Sequence, residues 1–154
     1  MTFRETSCTY CGEPSDSMDH VVPVSVDETS RKNAKWSRKH VVPCCRECNN
    51  LLGSVYLLTV WERAGFIEGK LSNRYKKVLN CPAWDPEDLE ELSYKLRKDI
   101  ETTIEARRVT LCRVQHAEWV YESGIGIEDV WESIDGLRTN QTRHQEEDSQ
   151  GECK

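Results

Sequence analysis

Two Cys-x-x-Cys pairs, Cys8/Cys11 and Cys45/Cys48, constrain this chain more than any other feature, and residues 12–44 separate them. A turn of this spacing presents two sulfurs to one metal without strain, and two turns complete the tetrahedral set that zinc prefers. Cys44 is an alternative to Cys45 as a ligand; the repeat of the x2 spacing favours Cys45. Cys81, Cys112 and Cys153 read as ordinary buried or tail thiols. With four thiolates spent, such a zinc has no open position, so it holds shape and performs no chemistry. In a small core it contributes an apparent ~10–16 kcal/mol of folding free energy.

A disulfide framework is the other use of eight cysteines. Nothing at the N-terminus resembles a signal peptide, and the longest apolar stretch, Val55–Val60, is far too short to span a bilayer. The sequence therefore predicts a cytoplasmic, metal-binding protein. The formal net charge is -6, yet the charge is divided unevenly. Residues 1–81 hold 12 Lys and Arg against 9 Asp and Glu, whereas residues 82–154 hold 9 against 18. The cysteine-bearing half is mildly basic, so the overall charge does not exclude a nucleic-acid partner for it.

The pattern predicts an α+β fold. Residues 21–26 (VVPVSV) read as a short strand, with Pro23 at an edge or bulge. Residues 40–43 (HVVP) read as a second. A buried helix is expected from about Cys48 or Asn49, ended by Gly65 with Phe66 as its hydrophobic partner. A shorter helix is expected over about 68–79, stopped by Cys81–Pro82. Asp85-Pro86-Glu87-Asp88 is a strong helix start, and apolar spacing carries that helix to about Glu122. A short amphipathic piece is expected around 127–134, then a polar, disordered tail. The expected division is a zinc-stabilised core over 1–66, a helical region over 67–136 that packs on the core or forms a homodimer seam, and the tail, 137–154.

Between the two cysteine pairs lie Asp19-His20 and His40, and Asn49 follows directly after the last cysteine. Phosphodiester hydrolysis needs a base for water, a cation beside the phosphate, and a scaffold that aligns them. His20 has the intrinsic pKa for the base. Asp19 and Asn49 offer oxygen ligands to a hard cation such as Mg²⁺. The zinc would tie together the turns that carry them.

The motifs CTYC, DHVVP, HVVPCC and CRECNN, spanning about residues 8–53, resemble the zinc-containing branch of the HNH endonucleases, a family with a ββα-metal core. The resemblance implies a metal-dependent DNA endonuclease in which Asp19 and Asn49 bind the catalytic divalent cation and His20 is the general base. It gives Cys8, Cys11, Cys45 and Cys48 to the structural zinc. His40 stands where the family has an Asn that braces the loop between the strands, a role that a His fills in part.

DNA contacts are expected from the basic loop, Arg31, Lys32, Lys35, Arg38 and Lys39, with Trp36 as a stacking residue, and from Arg46. A non-catalytic zinc module that recruits DNA or a protein is the alternative reading.

Overall fold

The computed structural model describes residues 6–22 and 38–137. It is α+β: a small two-stranded antiparallel sheet followed almost entirely by helices. Strand β1 (Ser17–His20) pairs with β2 (Val41–Cys44) in the register Ser17↔Cys44, Met18↔Pro43, Asp19↔Val42, His20↔Val41. The Val21 N–H continues the ladder to the His40 carbonyl at 3.0 Å. By antiparallel alternation Met18 and Pro43 then form a pair that needs no N–H from Pro43. β1 thus precedes the strand expected over 21–26, and Pro23 lies outside the described residues.

Helix α1 (Arg46–Leu52) begins inside the second cysteine pair and carries Cys48 in its first turn, with the Cys45 sulfur accepting the Cys48 N–H. Gly53, at φ 49°, ends it. The chain then runs irregularly to α2 (Val60–Arg74). Gly65 is therefore inside a helix and does not cap one. The Thr59 hydroxyl receives the Glu62 N–H at 3.2 Å, and hydroxyl and Glu62 carboxylate bond at 2.6 Å, which starts a new helix where the sequence pattern suggested one continuous piece. A boundary at residue 66 falls in the middle of α2.

A short α3 (Lys76–Leu79) follows after a break at Tyr75. The helix expected from Asp85 is split into α4 (Pro86–Glu90) and the 30-residue α5 (Tyr94–Ser123). Glu91 closes α4, and Ser93, at ψ 147°, interrupts the helical backbone before α5 begins. Gly124, in the left-handed region at φ 63°, ends α5. Helix α6 covers residues 127–137.

One apolar cluster joins the two cysteine turns, Tyr10, Val21, Val42 and Leu52 to Val60, Ala64, Ile67 and Leu71 of α2 and to Ala117 and Val120 of α5. The α2 residues recur at helical spacing and face α5, and each buried Val, Leu or Ile contributes about 1.5–3 kcal/mol. The core and the helical region therefore share one hydrophobic interior. No helix among the described residues is long and apolar enough to cross a membrane.

Candidate metal centre and the Asp19–His20 strand

The β-hairpin brings the two cysteine turns together. The sulfurs of Cys8, Cys11, Cys45 and Cys48 all lie within 4.8 Å of one another, and all four residues are buried. The Cys11 and Cys45 sulfurs are 3.7 Å apart, against about 3.8 Å between ligands of a tetrahedral ion with Zn–S near 2.3 Å. Gly12, at φ 76°, turns the first pair back, and His116 of α5 sits against it, with Nε2 3.2 Å from the Thr9 carbonyl oxygen.

The electrostatics also ask for a cation. Hydrogen bonds from Cys11, then Cys48 and Cys8, hold the Cys45 thiol far below its usual range, while its neighbours push Cys11 and Cys48 up. Four sulfurs this close cannot all ionise by themselves, and a divalent ion removes the conflict. Arg113 of α5 approaches the Cys11 sulfur at 3.9 Å and bonds Glu47 at 2.6 Å, bringing a positive charge to the edge of the quartet. The residues fit a metal ion such as zinc. Cys44 adjoins Cys8 but is not one of the four, and its thiol donates to the Cys45 carbonyl at 3.2 Å. Cys112 is exposed, contrary to expectation; Cys81 is half-buried, and Cys153 lies outside the described residues.

Asp19 is placed differently from a metal ligand. Its side chain points into the core and is 3% exposed. Arg63 of α2 grips it with both arms, Nε to Oδ2 at 2.8 Å and Nη2 to Oδ1 at 2.7 Å. The Tyr10 hydroxyl donates to Oδ2 at 2.5 Å. Burial, and then the Asp19 carboxylate, push the Tyr10 hydroxyl well above its ordinary pKa. The remaining nitrogen of Arg63, Nη1, reaches the carbonyls of Val21, Val55 and Leu57 at 3.0–3.4 Å. A guanidinium with every arm engaged is a stable buried cation, and its counter-ion is Asp19. In this arrangement Oδ2 accepts two hydrogen bonds and Oδ1 faces the positive charge of Arg63.

Strand alternation turns His20 and Met18 to the face opposite Asp19. His20 is half-buried and opposes Val41. Asn49 lies on α1 with its amide 3.5 Å from the Met18 carbonyl and from the Ser17 hydroxyl, so it rests against β1. His40, half-buried, stands at the entrance to β2, and its backbone carbonyl closes the hairpin ladder. His40 opposes Val21 and so, by the same alternation, shares the face of Asp19, whereas His20 lies on the other face; Asn49 rests against Ser17 and Met18.

Of the residues expected to meet DNA, Arg31, Lys32, Lys35 and Trp36 lie outside the described residues. Arg38 is engaged elsewhere, bonded to Asp135 at 2.8 Å and stacked over the Trp131 ring at 4.5 Å. Lys39 is exposed, as is Arg46, whose side chain is 79% open and 3.5 Å from Asp16.

The sequence reading missed Arg63, although a signal was present. Arg63 shares the helical stripe of Val60, Ala64, Ile67 and Leu71, and a charge at that position calls for a buried partner. Comparisons of the chain with protein-family models, with curated proteins and with solved structures return no match.

Proposed function

We propose that the protein is a zinc-stabilised DNA endonuclease in which His20 takes the proton from the attacking water. The observation that supports this reading is the hairpin itself. It opposes His20 to Val41, closes at its other end on the cysteine quartet, and holds Asn49 of α1 against the same strand. A base fixed on a rigid strand is suited to hydrolysis, and the Asn49 amide is held against Ser17 and Met18 of the same strand. Arg46, three residues before Asn49 on α1 and open to solvent, is the described cation placed to meet a phosphate. No step is assigned to a divalent cation, because Asp19 is spent on Arg63.

The experiment is cleavage of supercoiled, linear and branched DNA with Mg²⁺, Mn²⁺ or Ni²⁺, beside a His20→Ala variant with zinc content measured. Loss of cleavage by about 10²–10⁴-fold in His20→Ala at unchanged zinc content is the expected outcome. Cleavage at the wild-type rate would refute the role of His20.

The Arg63–Asp19 pair favours a second reading, a non-catalytic zinc module that binds DNA or a protein. Retarded but uncut DNA across all three metals would select it.

A further inference from the structure

An open groove of about 690 Å³ runs between α2 and α5, on a part of the molecule that the reading above leaves unused. Trp61, Phe66 and Tyr121 line it, and Glu62, Glu68, Glu118 and Glu122 ring it. The Trp61 and Tyr121 rings stand 6.0 Å apart at 41°, and Tyr121 is 49% exposed. The groove is built to this shape. A Cβ on Gly65 would come within 2.8 Å of the Tyr121 ring, so only glycine lets that ring lie down against α2.

Its carboxylates are not ion-paired. Lys70 stands over the Phe66 ring at 5.0 Å at one edge, but no lysine or arginine is among the lining residues, and none of the four carboxylates takes part in an ion pair among the described residues. Among the described residues the Glu62 carboxylate accepts the Thr59 hydroxyl, and that of Glu68 the Ser72 hydroxyl. Glu118 and Glu122 are successive turns of α5, a like-charge pair that costs the isolated helix a few tenths of a kcal/mol. Elsewhere the same chain answers the buried Asp19 and the half-buried Glu47 with arginine, whereas of the groove's acids Glu62 and Glu68 are half-buried and Glu118 and Glu122 exposed. Nucleic acid and anionic lipid are repelled by such a surface. A lysine or arginine seated here meets carboxylates on both walls and aromatic rings below, and aliphatic side chains beside it cover the rings.

We propose that this groove is the docking site for a basic segment of a partner protein, one that alternates lysine or arginine with aliphatic residues. The site is independent of His20 and of DNA cleavage.

The test uses the full zinc-loaded chain and a fluorescein-labelled peptide of alternating Lys/Arg and Leu, read by anisotropy at low salt, with an alternating Glu/Leu peptide for comparison. Saturable binding of the basic peptide alone is expected, weakened about tenfold by Glu118→Lys/Glu122→Lys and by Tyr121→Ala. Glu91→Lys/Glu132→Lys, the same charge change away from the groove, is expected to leave the affinity within about twofold, which separates docking from general attraction to an acidic protein. Equal losses in the two charge-reversal variants, or binding that survives Glu118→Lys/Glu122→Lys, would overturn the proposal. So would light scattering that shows a dimer which Glu118→Lys/Glu122→Lys disrupts, because a second copy would then fill the groove.

Discussion

Arg63 is worth following as a single residue because its neighbours leave it no freedom. A bidentate pair that is 1% and 4% exposed on its two sides is sustained by mutual neutralisation, and removing one partner strands the other in the core. Arg63→Met is expected to cost about 3–5 kcal/mol in urea denaturation, because Asp19 is left charged and buried. Adding Asp19→Asn to Arg63→Met is expected to recover part of that loss. A single variant that unfolds at the wild-type midpoint would show that the pair carries no weight. The dipeptide Asp19-His20 was legible in the sequence as a functional unit, but its two members part company. Alternation along β1 sends one side chain inward and the other outward, and only a three-dimensional partner, Arg63, decides which of them chemistry can reach. That partner lies 44 positions away, beyond any local pattern.

Among the elements, the errors of sequence reading come from helix ends and from the first strand, which forms over Ser17–His20 ahead of the expected 21–26. Residues 51–61 are apolar enough to read as one buried helix, and periodicity alone does not register the stop at Gly53. The decisive signal was Thr59-x-x-Glu62, a capping pattern whose hydroxyl accepts the Glu62 N–H. Thr59→Ala is expected to destabilise the fold by about 1 kcal/mol, measured as a shift in the denaturation midpoint. An unchanged midpoint would place the start of α2 under the control of core packing. By contrast the second strand, the α5 stop at Gly124 and the helix beyond it were readable, because β-branched runs and glycine punctuation are local. The cysteine turns were readable too, since spacing and chemistry coincide there.

For the whole molecule, the metal quartet sits in the same apolar cluster as α2 and α5 and makes no separate compartment. Removing the ion therefore bears on the long helices as well as on the hairpin. Bound zinc measured after purification is expected at one per chain. Chelation, or Cys48→Ser, is expected to abolish cooperative thermal unfolding and to lower helix content by circular dichroism. Intact helix content after the ion is lost would show that α2 and α5 hold each other without it. Arg113, reaching from α5 to both Glu47 and the Cys11 sulfur, is one direct link between the two regions, and His116 at the Thr9 carbonyl is another.

A two-stranded sheet has two borders, and β2 supplies one of them. Its outward carbonyls are those of Val41 and Pro43. The Pro43 oxygen takes the Thr9 N–H at 2.9 Å, and the Val41 oxygen takes the Trp131 indole N–H of α6 at 3.0 Å. Pro43 has no N–H to offer a newcomer. The border is thus sealed against strand addition from another molecule, with α6 as the seal and the Arg38–Asp135 pair as its fastening. Ending the chain at Gly126 is expected to bare the Val41 carbonyl beside apolar Val41 and Val42 and to produce concentration-dependent aggregation, seen by light scattering. A truncated chain that stays monodisperse would assign α6 another purpose. On this view the last described helix is a guard: it keeps a very small sheet from growing.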